Sequence, residues 1–214
     1  MKSRPLLIPA VLAIGLWIFG LVVLNSFSDK IPHHPTDAQL LTWVQGNQNP
    51  IMSGGWLWAI GCLSFLWFAA LLRPRLAEAE GGSHTYTVLA FAGACAATVF
   101  GVLMQMGDFD AALGHDSISA ATAGTLHHLS DMFFIGAELS LIPFFAGVAV
   151  VAFRTGVLPK WWAAFSVLLA VVLVIGPIGW AGLIFGTPLW LLGTGVLVGS
   201  APRVRRRAVA AATA

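Results

Sequence analysis

Residues 128–153 read HLSDMFFIGAELSLIPFFAGVAVVAF, a mostly apolar stretch that contains two acidic side chains, Asp131 and Glu138. An α-helix needs about 20 apolar residues to cross the hydrocarbon core of a bilayer, and this stretch is long enough. Ionisable side chains are rare in lipid and usually face a bundle interior or a water-filled cavity, because hydrocarbon cannot solvate them. The stretch therefore predicts a membrane-spanning helix and marks where a functional site should be sought.

Composition assigns the whole chain to the same environment. The chain has 214 residues, of which 58% are hydrophobic and 9% are charged, and its mean hydropathy is +0.85. A soluble domain carries about 25% charged residues, so this chain has too few to cover a surface that faces water. These values predict an all-α, polytopic membrane helix bundle whose main partner is the lipid bilayer.

Six apolar segments are predicted to cross the membrane as helices, within a single transmembrane domain over residues 1–214. Their approximate bounds are 6–27, 55–72, 87–106, 128–153, 161–177 and 184–200. The first exceeds the h-region of a signal peptide, which has about 7–15 residues, so we expect a retained helix. The last two form one apolar run that Gly176-Pro177 and later glycines interrupt. This interruption predicts a tight hairpin.

The basic residues indicate how the six segments are threaded. An even number of crossings puts both termini on one side, and ten of the eleven Lys and Arg residues then share that side. These ten are Lys2, Arg4, Arg73, Arg75, Arg154, Lys160, Arg203, Arg205, Arg206 and Arg207. The positive-inside rule predicts that both termini are cytoplasmic. We interpret the basic tail as a topology signal that contacts anionic lipid, and we expect no nucleic-acid partner.

Two outer loops, residues 28–54 and 107–126, are expected to fold over the opposite end of the bundle. In the first loop, Thr36 is predicted to cap a short amphipathic helix that lies on the membrane surface. Five of the six histidines fall on this outer side. The sequence therefore predicts an outward-facing polar pocket.

Polar residues at the start of the fourth segment form the main candidate site. His127, Asp131 and Glu138 are separated by four and seven residues, which puts all three on one face of a helix. Together with His128, they are the candidate catalytic residues, as acid, base or ligand. Four further residues are expected to line the pocket: Asp108, His115, Gln105 and Trp180.

Several chemistries fit this set of residues. An imidazole or carboxylate at the membrane boundary could move a proton on a lipophilic substrate. If a metal is bound, His127 and Asp131 could share it, with His33 and His34 adding ligands from the first loop. No HExxH or other diagnostic spacing occurs, so the cofactor remains unassigned. A Met-x-Met pair is more typical of apolar packing than of a copper site. A haem site would need histidine ligands on two helices.

The same residues also fit a structural role. The polar residues at the start of the segment could cap a helix that enters the membrane, and Glu138 could join two helices by a hydrogen bond. Two functional hypotheses therefore stand. The first is a small integral-membrane enzyme that acts on a lipophilic substrate, and the second is a non-catalytic accessory subunit or a proton-coupled carrier. Below Glu138 only Ser140 and Ser64 continue a polar path, which disfavours a route through the membrane.

The C-terminal half resembles an uncharacterised family of six-span bacterial membrane proteins of unknown function. Three stretches carry the resemblance: residues 156–162 (GVLPKWW), 175–179 (IGPIG) and 188–195 (PLWLLGTG). The resemblance implies six spans and a bacterial cytoplasmic membrane. It implies no catalytic residues, because the family brings no activity with it.

Overall fold

The computed structural model describes residues 6–31 and 34–200, and this part of the chain is helical with no β-strand. Its α-helices are α1 (Leu7–Phe27), α2 (Asp37–Gly46), α3 (Gln48–Glu80), α4 (Thr85–Leu113), α5 (Ala120–Thr155), α6 (Lys160–Val174), α7 (Gly176–Ala181) and α8 (Thr187–Ser200). A π-helix, Gly182–Gly186, joins α7 to α8 without a break. The predicted all-α class is confirmed.

Five helical segments in the described residues are long and apolar enough to cross a membrane. They are α1, α3, α4, α5 and the continuous segment Gly176–Val198 that contains α7, the π-helix and most of α8. The sixth expected span, α6, is apolar but has only 15 residues. At 1.5 Å per residue it is about 22 Å long, which is shorter than a hydrocarbon core of roughly 30 Å. This is the architecture of a helical membrane protein with one short helix.

The helices extend beyond the apolar segments from which they were predicted. Helix α3 begins at Gln48 and α4 continues to Leu113, so the two outer connections are shorter than residues 28–54 and 107–126. Helix α5 begins directly after Ser119, whose hydroxyl accepts a hydrogen bond from the Thr122 amide at 3.1 Å. Hydropathy marks only the part of a helix that suits lipid, whereas capping groups determine where the helix ends.

The short helix expected in the first outer loop is present as α2. The Thr36 hydroxyl accepts from the Gln39 amide at 3.3 Å, and the Gln39 side chain accepts from the Thr36 amide at 2.8 Å. This reciprocal pair is a capping box. Leu40 and Val44 are buried, and α2 contacts α3, α4 and α5. Its apolar face therefore packs against these three helices rather than on lipid alone.

Tryptophan side chains fasten α6 to α8. The Trp190 indole donates to the Ser166 hydroxyl at 2.8 Å, and the Trp162 indole donates to the Thr194 hydroxyl at 2.8 Å. Both bonds are buried, where an indole N–H without a partner would be costly. The Trp190 ring also packs edge-on against Phe144 and Phe145 of α5. The predicted hairpin between the last two segments is therefore held to α5 through one aromatic cluster.

The first and last described helices meet at the same end of the bundle. A Cβ atom on Gly195 would lie 3.3 Å from the Leu7 Cα atom, and the Arg75 guanidinium donates to the Val198 carbonyl at 3.1 Å. We call this the basic end, defined by Arg73, Arg75, Arg154 and Lys160. The opposite end is the histidine end, defined by Asp108, His115, His127 and His128. The basic residues at 2, 4 and 203–207 lie outside the described residues.

Close backbone contact between α4 and α5 forms the most extensive helix–helix interface. A Cβ atom on Gly93 would lie 2.7 Å from the Phe144 amide nitrogen and 2.8 Å from the Ser140 carbonyl oxygen. Both obstacles are backbone atoms, so the neighbouring helix would have to move as a whole. Small residues allow this approach in membrane bundles, where packing rather than water exclusion drives helix association.

Gly93→Ala is therefore expected to destabilise the bundle by about 1–3 kcal/mol, the usual range for overpacking. Thermal unfolding of detergent-solubilised protein, followed by size-exclusion chromatography, measures the effect. Gly15→Ala is the matched control, because a Cβ atom on Gly15 of α1 meets nothing within 4 Å. Equal melting temperatures for the two variants would contradict the close contact.

Candidate functional site

The α4–α5 interface brings His127 and Asp108 together at the histidine end. The His127 Nδ1 atom lies 2.9 Å from Asp108 Oδ1, and both side chains are about one-fifth exposed. Asp108 follows Gly107, where an added Cβ atom would meet the Leu126 carbonyl of α5. The absence of a side chain at Gly107 thus lets α4 approach α5 closely enough for the pair to form.

This pair has the form of an oriented imidazole. A carboxylate at Nδ1 favours the tautomer with its proton on that nitrogen, which leaves Nε2 free to accept a proton. Acid–base chemistry uses a histidine arranged in this way. His127 and Asp108 therefore form a hydrogen-bonded pair. Asp108, which was expected only to line the pocket, contacts the imidazole directly.

Two other candidate residues near the start of α5, His128 and Asp131, do not join the His127–Asp108 pair. His128 and Asp131 are exposed on the surface of α5, and neither has a hydrogen bond to another of the described residues. Asp131 lies one turn after His127, so it contributes negative charge near the imidazole without contacting it. Helical spacing predicts one face for His127, Asp131 and Glu138, yet Asp131 is exposed whereas Glu138 is buried.

Glu138 is separate from the histidines. It follows His127 by 11 positions, about 16 Å along the axis of α5. Its side chain is only 6% exposed, and its Oε1 atom has no hydrogen-bond partner among the described residues. Its Oε2 atom lies 3.0 Å from the position of an added Cβ on Gly179. Among the described residues Glu138 forms no ion pair with a histidine, and it packs instead against the bare backbone of α7.

The His115 side chain makes its contacts at the end of α4 and in the segment that follows it. Its Nδ1 atom is 3.0 Å from the Ala112 carbonyl, and its Nε2 atom is 3.2 Å from Asp116. The Gln45 side chain of α2 donates to the His115 carbonyl at 3.1 Å, which ties the two outer connections together. His115 thus contributes to the structure of the histidine end, and none of these contacts directs it toward His127.

Gln105 and Trp180, also expected in the pocket, lie in different places. The Cβ atom of Gln105 is 3.6 Å from the position of an added Cβ on Gly55 of α3. Trp180 is half exposed, its indole donates to the Pro177 carbonyl at 3.2 Å, and its ring contacts Phe185. Within the described residues, the structure therefore does not bring the eight predicted site residues into one pocket.

A metal site does not form from the residues that the structure describes. Nowhere among residues 6–31 and 34–200 do three His, Cys, Asp or Glu side chains come together in a way that could hold an ion. His34 is exposed in a connection where its backbone has a φ of 56°. The other loop histidine, His33, lies outside the described residues.

A groove between α1 and the π-helix is a feature that the sequence reasoning missed. It has a volume of about 450 Å³. Its walls include Ile18, Leu21 and Val22 of α1 and Leu183, Phe185 and Pro188 of the last helical segment. Asn25 and Ser26 are its polar residues, and both lie near the end of α1 at the histidine end. The only sequence signal was the run of glycines and proline that interrupts the last segment.

A smaller cavity of about 30 Å³ lies deeper in the bundle. Trp17, Trp58 and Leu183 line both the groove and this cavity, so they form the wall between the two. The smaller cavity is also lined by Ala137, which directly precedes Glu138, and by Leu141, which follows it by three positions. The groove, the small cavity and the Glu138–Gly179 contact are therefore neighbours around the π-helix. π-Helical turns within α-helices are frequent at functional sites.

Comparisons with protein-family models, with curated proteins and with solved structures find no match. The six-span family that the C-terminal half resembles therefore stays an expectation, and function must be argued from the geometry alone.

Gly179→Ala is expected to lower the free energy of unfolding by about 1–3 kcal/mol, since its Cβ atom would press on a carboxyl group that cannot move into water. Glu138→Gln should change stability far less, because the amide has nearly the same shape as the carboxyl group. Chemical or thermal denaturation in detergent measures both variants. A Gly179→Ala variant as stable as the wild type would show that Glu138 does not pack against α7.

Proposed function

We propose that this chain is a six-span integral membrane protein of a bacterial cytoplasmic membrane, with both termini in the cytoplasm. The short α6 counts as the sixth span in this proposal, since it packs against α5 and pairs with α8. Helices shorter than the bilayer are accommodated by local thinning and by interfacial anchors such as Trp161, which directly follows Lys160. The meeting of Leu7 with Gly195 at one end supports an even number of crossings.

The function that we propose is the binding of a lipophilic small molecule in the groove between α1 and the π-helix. The observation that carries this proposal is the groove itself, an apolar recess of about 450 Å³. Recesses of this size suit small-molecule ligands. Ile18 and Phe185 on its walls are more than half exposed, which in a membrane means access from lipid.

The lining of the groove limits the chemistry of the occupant. Among the described residues, no Asp, Glu, Lys, Arg or His lines the groove, so a charged group inside it would lose solvation without gaining a partner from them. Asn25 and Ser26 provide hydrogen-bonding groups toward the histidine end. The ligand that fits is therefore an uncharged amphiphile, with a hydrocarbon body and a hydroxyl or carbonyl group at one end.

Ile18→Trp is expected to fill part of the groove and to remove most of the bound ligand. Native mass spectrometry and organic extraction of purified protein would measure the molecule that co-purifies or that is added as a lipophilic probe. Leu168→Trp is the matched control, since Leu168 is a similarly exposed residue of α6 outside the groove. Equal ligand content in both variants, or no ligand in the wild type, would overturn the proposal.

The paired His127 and Asp108 support a second candidate function. A half-buried imidazole that a carboxylate orients is the arrangement required of a general base. In this alternative the protein is an enzyme that acts on a lipophilic substrate at the histidine end. Asp108 then positions the imidazole, while His128 and Asp131 remain on the surface and Glu138 lies too far along α5 to take part.

His127→Gln is expected to lower such an activity by about 10²–10⁴-fold, the usual contribution of acid–base catalysis. Asp108→Asn should lower it less, because the imidazole remains but loses its orientation. Untargeted lipid profiling of membranes from cells that express each protein would detect the substrate and product. His128→Gln serves as the control on the exposed neighbour. Identical profiles for wild type and His127→Gln would contradict the enzyme candidate.

A further inference from the structure

Two arginines at the basic end rest on aromatic rings of α4. The Arg154 guanidinium of α5 lies 4.7 Å from the centre of the Tyr86 ring and 3.4 Å from the tyrosine hydroxyl. The Arg73 guanidinium of α3 lies 5.4 Å from the centre of the Phe91 ring. Stacking on a ring face holds a guanidinium in place while its N–H edge stays available to an acceptor. The two arginines thus flank the first two turns of α4 from its neighbours on either side.

No carboxylate of the described residues forms an ion pair with these arginines. Glu80 accepts hydrogen bonds from the Tyr86 amide at 2.9 Å, from the Thr87 amide at 2.8 Å and from the Thr87 hydroxyl at 2.6 Å. Its charge therefore compensates the N-terminus of α4. Throughout the described residues, no Lys or Arg is within 4.0 Å of an Asp or Glu carboxylate. Residues 1–5, 32–33 and 201–214 contain no Asp or Glu.

These two guanidinium groups are therefore available to bind an anion from outside the described residues. Arg73 and Arg154 are exposed, and both sit where α3 and α5 approach their ends. In a membrane, this is the level of the lipid headgroups, where anionic phospholipids attract Arg and Lys. Guanidinium groups bind phosphate through two parallel N–H···O bonds. The Tyr86 hydroxyl, next to Arg154, adds a further hydrogen-bonding group.

We propose that Arg73 and Arg154 each bind the phosphate group of an anionic phospholipid, one on either side of the first two turns of α4. The ring faces of Phe91 and Tyr86 orient the two guanidinium groups toward the headgroup. This inference rests on the membrane placement proposed above, but it is independent of the groove and of the His127–Asp108 pair, which lie away from this end.

The test compares lipid retention in mixed nanodiscs of phosphatidylglycerol and phosphatidylcholine, measured by native mass spectrometry after release. Wild-type protein should retain phosphatidylglycerol in excess over phosphatidylcholine. Arg154→Gln and Arg73→Gln should each reduce this preference by about five-fold, in line with the contribution of one arginine near an anionic surface. Arg154→Lys should restore part of it, since charge remains but the planar, stacked guanidinium is lost.

Lys160→Gln is the matched control, because Lys160 is an exposed base at the same end with no aromatic contact among the described residues. It should leave the lipid preference nearly unchanged. A loss as large as that of Arg154→Gln would show a diffuse positive field rather than a site. Absence of any preference in the wild type would also overturn the proposal, as would displacement of the lipid by millimolar inorganic phosphate. Melting temperatures of all variants confirm that each is folded.

Discussion

The close contact between α4 and α5 is the interaction on which the other features depend. It extends from Gly107 at the histidine end, through Gly93, to Gly147 at the basic end, where an added Cβ would lie 2.6 Å from the Tyr86 carbonyl. At one end it brings Asp108 to His127, and at the other it brings Tyr86 to Arg154. Since water exclusion does not hold helices together in lipid, such close packing has to supply the cohesion.

Much of the fold could be predicted from the sequence because lipid imposes a simple rule. Every backbone polar group inside hydrocarbon must be paired within the chain, so long apolar segments become helices. The same rule does not fix where a helix ends once it leaves the lipid. Ser119 and the Thr36–Gln39 pair do so through hydrogen bonds. Of these, only the capping role of Thr36 was predicted. Helix α6 ends at Val174, three residues before the predicted bound at residue 177, and the next helix begins at Gly176 rather than at residue 184.

The candidate site was harder to predict, since it depends on the neighbours of each helix. Spacing on α5 predicts one face for His127 and Glu138, yet 11 positions separate them along its axis. His127 meets α4, whereas Glu138 meets α7, and sequence spacing carries no information about which helix lies opposite. The groove was equally hidden, because it forms between α1 and the π-helix, which are far apart in the chain.

The surroundings of Glu138 differ chemically from those of the histidines on the same helix. An ionised carboxylate buried without a partner is far more costly than the neutral acid, which behaves as an ordinary polar group. Among the described residues, the Oε1 atom of Glu138 has no hydrogen-bond partner, and its Oε2 atom lies against the backbone of Gly179. The carboxyl group therefore belongs to the packing around the π-helix, next to the wall that Leu183 forms between the groove and the small cavity.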